Sequence, residues 1–224
     1  MLRGWIEFDA LLVVLTALAI LGSGRLKFVN HLVAVQGVIV SILPLLVEGV
    51  DMPLRAAFLT ALTIGLKGWT FPHFLDRAIT TSGLRREPQP VVGYTAGMLI
   101  GLALLGLAAH LGGRLALPMA APAPAAVPAA LFTMFAGLFL IVSRRTAIMQ
   151  VLGYLVVENG IFVFGTAVAP GESFLVELGM LLDIFVAVFI MGLTILHLSR
   201  TLDTVETDRL QRLRERGRAL GDGR

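Results

Sequence analysis

The sequence predicts an all-α, polytopic membrane protein with seven transmembrane helices. Apolar runs of about twenty residues, the length that crosses a bilayer as a helix, follow one another with short polar breaks. Hydrophobic residues make up 57% of the chain and charged residues only 15%, a balance that ordinary soluble domains do not have. Basic residues are also concentrated in alternate loops, as expected of a multi-pass protein.

The apolar runs place the seven spans between residues 4 and 198. In chain order they are Gly4–Leu21, Leu26–Val47, Leu54–Ile79, Val92–Leu111, Pro128–Val142, Ile148–Val168 and Phe174–Leu198. Glu7 and Asp9 lie where a signal peptide would pass into its apolar core, so we expect the first span to be retained.

Loop charge predicts how the spans are oriented. One side of the membrane collects about fourteen basic residues, and the positive-inside rule assigns that side to the cytoplasm. They include Arg25, Lys27, Arg77, Arg85, Arg86, Arg144, Arg145 and the arginines of the tail. The other side holds only Arg3, Arg55 and Arg114. This asymmetry predicts an outer N-terminus and a cytoplasmic C-terminus.

Residues 1–201 are predicted to form one transmembrane domain. A Pro/Ala linker at 118–128, "PMAAPAPAAVP", separates a first half, 1–117, from a second half, 129–201, because this composition favours extended polyproline structure. Residues 202–224 form a basic cytoplasmic tail, which either completes the topological signal or docks on a partner subunit.

Three ionisable residues are predicted to lie near the middle of the membrane. They are Lys67 in the third span, Glu158 in the sixth and Asp183 in the seventh, each about nine to thirteen residues from a helix start. An ionisable side chain at this depth costs roughly 2.5 kcal/mol or more, so each is a functional candidate that should face the bundle interior. Their common depth indicates a shared polar pathway.

Such a pathway needs groups that hold and release a proton. Burial disfavours the charged form of each group, whereas an opposite charge nearby favours it, so a small change in separation can switch protonation. The alternative is structural: Lys67 reaches toward the cytoplasmic surface, and Glu158 and Asp183 hold helices together by permanent hydrogen bonds. Asn159 is expected to fix helix packing, since its amide does not titrate.

Several other residues of the spans are secondary candidates. Pro72 follows Lys67 by about one turn and predicts a kink that frees backbone carbonyls beside it. Gln36 and His73 are further polar candidates, and His31 with His73 is the only histidine pair that could suggest a b-type haem. Histidines near span ends more often serve at the interface, so no haem is expected.

The sequence excludes several functions for this chain. It contains no cysteine, which rules out thiolate-bound iron–sulfur clusters, disulfides and thiol catalysis within it. It shows no phosphate-binding loop, metal-ligand spacing or nucleophile–base set, so we expect no catalytic centre, cofactor or metal in this chain. The basic residues are topological signals, and no nucleic-acid partner is predicted.

The second half resembles the E-type membrane component of the hydrogenase-4 family. The resemblance covers Ser143 to about Asp208 and depends on the Arg144–Arg145 pair, Gly-Tyr, Glu158-Asn159-Gly, Asp183 followed by Ala-Val and Met, and a closing Leu-Asp. That component is similar to the K-type subunit of NADH:quinone oxidoreductase and to the C-type subunit of multisubunit cation/proton antiporters. The first half matches more loosely, through Lys67 and Pro72 in "LKGWTFP".

This resemblance implies a non-redox place in the membrane arm of a respiratory complex. The expected partners are antiporter-like membrane subunits, a quinone-site-type membrane subunit and soluble nickel–iron and iron–sulfur subunits, which carry the metal centres. The expected location is the cytoplasmic (inner) membrane of a bacterium or archaeon. The expected role is proton or cation translocation coupled to electron transfer; the alternatives are assembly and anchoring, or independent transport.

One position departs from the K-type pattern. The K-type carboxylate lies about three residues before Glu158, where this chain has Leu155. Three residues keep a side chain on the same helix face, so the acid is displaced along the same face of the helix and is not lost.

Overall fold

The computed structural model describes residues 2–48, 54–82, 91–115 and 125–168, together with residue 192. In these residues every regular element is helical. The elements are α1 (Leu2–Leu21), α2 (Leu26–Glu48), α3 (Leu54–Gly65), a π turn (Leu66–Thr70), α4 (Phe71–Ser82), α5 (Tyr94–Arg114), α6 (Ala126–Ser143) and α7 (Ala147–Val168).

Five of these helices, α1, α2, α5, α6 and α7, are long and apolar enough to cross a membrane. Together they confirm the prediction of an all-helical membrane protein for the described part of the chain. The predicted third span corresponds to α3, the π turn and α4 in direct succession. The seventh span, Phe174–Leu198, and the tail 202–224 lie outside the described residues, so the count of seven and the orientation of the termini stay predictions.

The centre of the bundle is built on a very close approach of α6 and α7. A Cβ atom on Gly137 of α6 would lie 2.6 Å from the backbone nitrogen of Val157, and one on Gly160 of α7 would lie 2.8 Å from the backbone nitrogen of Met134. Only glycine permits this contact. Buried side chains of α1 and α2 complete the core around this pair.

Helix α6 begins at Ala126, two residues before the predicted start at Pro128. A proline in the first turn of a helix is tolerated because the backbone N–H groups there have no partner within the helix. The last residues of the Pro/Ala segment are therefore helical, and Ala126 and Val127 are buried.

One arginine ties several helix ends together at the basic end of the bundle, which we define by the exposed residues Arg25, Lys27 and Arg145. Arg144 is only 2% exposed, and its Nη2 donates a hydrogen bond to the carbonyl of Leu21 at 3.0 Å. Its guanidinium also lies 4.7 Å from the centre of the Tyr94 ring. The sequence alone gives Arg144 only a topological role. In the structure its side chain also donates a hydrogen bond to a free carbonyl at the C-terminus of α1 and packs on Tyr94.

Candidate functional site: a buried ion pair between the third and sixth predicted spans

The π turn positions the lysine of the site. Phe71 donates its backbone N–H to the carbonyl of Leu66, which is the wider hydrogen-bonding pattern of a π helix. Pro72 follows immediately and has no N–H to donate, so the regular α pattern cannot continue through this segment. The predicted kink thus takes the form of a wide turn, and Lys67 lies within it with 5% of its surface exposed.

Lys67 and Glu158 form an ion pair inside the bundle. The Lys67 Nζ atom lies 2.8 Å from Glu158 Oε1, and the two side chains are 4% and 2% exposed. A buried lysine or carboxylate alone is costly, but each supplies the charge that offsets the burial of the other. The two residues lie about 90 positions apart in the sequence, so only the fold brings them together.

Two amide side chains extend the ion pair into a continuous hydrogen-bonded chain. Lys67 Nζ donates to Asn159 Oδ1 at 3.2 Å, and Asn159 Nδ2 donates to Gln36 Oε1 at 3.2 Å. Gln36 Nε2 then donates to the carbonyl of Val13 at 3.1 Å. The chain therefore links α7, the π turn, α2 and α1. We call Lys67, Glu158, Asn159 and Gln36 the ion-pair centre.

Glycine residues allow the helices of the ion-pair centre to approach one another. A Cβ atom on Gly37 of α2 would lie 2.9 Å from Lys67 Cβ, and one on Gly68 would lie 2.7 Å from Val38 Cγ2. Real Cβ atoms do not come this close, so both positions require a residue without a side chain. Gly37 thus fixes how far Lys67 can lie from α2.

The charges of the pair have different surroundings. Lys67 Nζ lies 5.4 Å from the centre of the Phe162 ring, a distance at which an aromatic face attracts a cation. Glu158 Oε1 is held by Lys67, whereas Glu158 Oε2 is buried and has no hydrogen-bond partner in the described part of the chain. Oε2 is therefore the atom that can accept a proton while Oε1 keeps its contact with the lysine.

Four of the residues selected from the sequence meet in this centre: Lys67, Glu158, Asn159 and Gln36. Lys67 does not extend to the surface, because its ammonium group is buried against Glu158. His73 lies elsewhere: it is exposed and stacks on Trp69, with ring centres 5.8 Å apart. Asp183 lies outside the described residues, so its part in the pathway stays a prediction.

Asn30 and Asp9 are buried polar residues that the sequence does not identify as site candidates. Asn30 is 2% exposed and donates from Nδ2 to the carbonyl of Pro72 at 2.9 Å. Asp9 is 7% exposed within α1, and its Oδ2 has no hydrogen-bond partner among the described residues. Asp9 lies in the first half of α1, near the start of the predicted span, where a carboxylate looks like an ordinary interfacial residue. Asn30 gives no sequence signal, since its partner is a backbone carbonyl 42 residues away.

Two spaces adjoin the ion-pair centre. An inner cavity of about 10 Å³ contacts Lys67 and Asn159 and is otherwise lined mainly by apolar atoms. A surface groove of about 490 Å³ lies between α2 on one side and the π turn with α4 on the other. Asn30, Ala34 and Pro72 line both spaces.

The chain is similar to two kinds of known protein. It is 29% identical over 218 residues to an uncharacterized protein of Mycobacterium tuberculosis, with 94% of this chain and 96% of that protein covered. It is 30% identical over 156 residues to the hydrogenase-4 component E of Escherichia coli K12, with 65% of this chain and 72% of that protein covered. The hydrogenase-4 component E of Shigella flexneri gives the same values. No protein-family profile and no solved structure matches the chain.

Proposed function

The chain belongs to the hydrogenase-4 component E family, and on this premise we propose that it is a non-redox membrane-arm subunit of a hydrogenase-4-like or complex I-like respiratory complex. In this role it contributes buried ionisable residues to proton translocation coupled to electron transfer. The observation that carries the proposal is the ion pair of Lys67 and Glu158, 2.8 Å apart and enclosed by the bundle. A membrane protein keeps buried charges of this kind mainly where they serve ion movement.

The geometry supports a simple coupling step. A proton that arrives at Glu158 Oε2 neutralises the carboxylate and leaves the Lys67 ammonium buried beside a neutral acid. Removing one charge of a buried pair costs roughly 3–5 kcal/mol, so the protonated state favours a new position of the lysine or of the π turn. Release of the proton restores the pair. A conformational change driven by electron transfer in a partner subunit can therefore be coupled to proton movement here.

The wider assignment follows from family membership. The partners are antiporter-like membrane subunits, a quinone-site-type membrane subunit and soluble subunits that hold the nickel–iron and iron–sulfur centres. The complex lies in a cytoplasmic membrane, and the basic end of this chain faces the cytoplasm. Asp183 is a further relay carboxylate in this proposal, as its predicted depth in the seventh span suggests.

The test is removal of one charge from the pair in the assembled complex. We expect Glu158→Gln to lower proton translocation per electron at least tenfold, because the amide cannot exchange a proton in this range. Translocation is measured as dye-reported acidification in inverted membrane vesicles, normalised to the amount of assembled complex. Glu7→Gln makes the same chemical change at an exposed carboxylate of α1 and serves as the control. Normal translocation in the Glu158→Gln complex would refute the proposal.

A second function, assembly and anchoring, is favoured by one observation: the hydrogen bonds of Asn159 and Gln36 join α7, α2 and α1 and thereby lock the bundle. On that account the ion pair is structural. Glu158→Gln would then lower the yield of complex in the membrane, while the complexes that do assemble would translocate protons at the normal ratio. Yield and translocation per complex therefore separate the two functions.

A further inference from the structure

The side chains that line the groove beside α2 change from ionisable to apolar along its length. At the basic end it is lined by ionisable side chains, His31, His73 and Asp76, and Asp76 lies 3.5 Å from Lys27. Nearer the middle of the membrane it is lined by the apolar side chains of Val38 and Ile39. Water therefore favours the end of the groove that adjoins the membrane surface, where these polar groups can hydrogen-bond with it.

The inner cavity begins where the polar part of the groove ends. Its volume of about 10 Å³ is close to the space that one water molecule occupies. Lys67 and Asn159 line the cavity, but almost all of the surface that faces it is apolar, so a water enters it only transiently. A single water suffices to pass a proton between hydrogen-bonded groups, whereas Na⁺ needs several oxygen ligands around it at once. The size of the cavity thus favours the proton.

Of the three residues that line both the groove and the inner cavity, Asn30, Ala34 and Pro72, Asn30 is the one with a polar side chain. Asn30 lines both, and its hydrogen bond to the carbonyl of Pro72 spans the boundary between α2 and α4. Pro72 follows the π turn that holds Lys67, so a shift of this turn also moves the acceptor of Asn30. A movement of Lys67 with the π turn would therefore also change the hydrogen bond of Asn30 at the boundary between the groove and the inner cavity.

From these contacts we propose that the groove is the aqueous access route by which protons reach the Lys67–Glu158 pair from the basic end, with Asn30 as the partition that controls it. This inference rests on the proposed function, since it names the route to the same ion pair. His31, His73 and Asp76 supply polar groups that hold water at the mouth, and a water that enters the inner cavity passes the proton to the pair. Asn30 is a positioning residue, because it acts through the carbonyl of Pro72.

The absence of cysteine in the sequence makes a direct test possible. Ala34→Cys places a thiol at a position that lines both the groove and the inner cavity, and Ile42→Cys places one about two turns further along the exposed face of α2. A cationic, membrane-impermeant methanethiosulfonate reagent reacts with thiolate in water and not with a thiol in lipid. Assembled complexes in vesicles of each orientation are treated, and labelling of this chain is followed by mass spectrometry.

We expect Ala34→Cys to be labelled at least tenfold faster than Ile42→Cys, and only when the reagent is added on the side of the basic end. Proton translocation by the labelled Ala34→Cys complex should then fall at least fivefold relative to the same complex before treatment. The wild-type complex treated in parallel corrects for reaction at cysteines of partner subunits. Because the complex is assembled before the reagent is added, a folding defect cannot imitate this loss.

Three outcomes would overturn the inference: equal labelling at the two positions, labelling from the opposite side, or full labelling of Ala34→Cys with unchanged translocation. Equally slow labelling at both positions belongs to the first outcome, because lipid or a neighbouring protein would then fill the groove. The proposed function is judged separately by Glu158→Gln. If that variant stops translocation while labelled Ala34→Cys continues, the ion pair carries protons and the groove is not the route.

A substitution of Asn30, the proposed partition, tests the access route in a second way. Asn30→Leu keeps the volume of the side chain and removes its hydrogen-bonding groups, so the inner cavity loses its polar link to the groove. We expect translocation per assembled complex to fall at least fivefold while labelling of Ala34→Cys in the same chain stays at its original rate. Unchanged translocation in a normally assembled Asn30→Leu complex would contradict the assignment of Asn30.

Discussion

The interior of the bundle holds acidic side chains in two very different settings. Glu158 contacts the Lys67 ammonium group at 2.8 Å, and Lys67 in turn donates to Asn159 and lines the inner cavity. Asp9 of α1 is 7% exposed and lies about one turn from the buried apolar residues Ile6 and Val13 of the same helix, and its Oδ2 has no hydrogen-bond partner in the described residues. Both carboxylates are buried, so burial alone does not identify a proton route.

The difference lies in what each carboxylate can exchange a proton with. Glu158 has a titratable partner in Lys67, an Oε2 atom without a hydrogen-bond partner among the described residues, and, through Lys67, a connection to Asn159 and the inner cavity. Helix α1 joins this network at the carbonyl of Val13, which lies one turn beyond Asp9. A route needs neighbours as well as a buried acid, and of these two sites the ion-pair centre supplies them.

The largest expected effect that tests this contrast is on stability at the ion-pair centre. We expect Lys67→Met to lower the free energy of unfolding by roughly 3–5 kcal/mol, because it leaves Glu158 buried without its counter-charge. The double variant Lys67→Met with Glu158→Gln should recover most of the loss, since no unpaired charge remains. Stability is measured by denaturant unfolding of the purified chain in detergent.

The recovery in the double variant is the decisive part of this cycle. If the two single losses simply add, the two charges do not interact, and the contact between Lys67 and Glu158 contributes nothing. Asp9 would then be no different in kind from Glu158.

The sequence predicts how long each membrane helix is and how deep each polar residue lies in the membrane, and these two properties account for much of the fold and of the site. Long apolar runs predicted the bounds of α1 and α2 to within a few residues, because membrane thickness sets helix length. The sequence identifies Lys67 and Glu158 because charge in the middle of a membrane is costly, which is a property of one helix at a time. Gln36 and Asn159 stand out in the same way, as polar residues in apolar runs.

The contacts between helices depend on which helix faces meet, and the sequence of a single helix does not determine this. The hydrogen bond of Asn30 to Pro72 joins α2 to α4, and the one of Gln36 to Val13 joins α2 to α1. Pro72 predicted a distortion, but a kink, a break and a π turn are all compatible with a proline in a membrane helix. Arg144 looked like a loop charge because its partners belong to α1 and α5.

A smaller effect is expected at Gly37, which sets the distance between α2 and Lys67. Gly37→Ala places a Cβ atom 2.9 Å from Lys67 Cβ, close to the backbone where the lysine cannot easily yield. We expect a loss of about 1–3 kcal/mol in the free energy of unfolding, together with a fall in proton translocation per assembled complex. Gly106→Ala is the matched control, since a Cβ there has no atom within 4 Å.

The two glycine variants together test whether the ion-pair centre depends on close packing between α2 and the π turn. Gly106→Ala should be neutral or slightly stabilising, because alanine favours a helix over glycine by about 1 kcal/mol. If Gly37→Ala behaves in the same way, the spacing of the π turn from α2 tolerates change. The ion-pair centre would then not depend on close packing.

The smallest effect is expected at Asp9. Asp9→Asn keeps the shape of the side chain and removes the charge of a buried carboxylate whose Oδ2 has no hydrogen-bond partner among the described residues. We expect the free energy of unfolding to stay the same or to rise by up to about 1 kcal/mol, because an unpaired buried charge is costly, and we expect proton translocation per complex to be unchanged. Both are measured beside Glu158→Gln, which makes the same carboxylate-to-amide change at the paired site. A loss of translocation at Asp9 as large as at Glu158 would remove the distinction between the two carboxylates and would extend the proton route along α1.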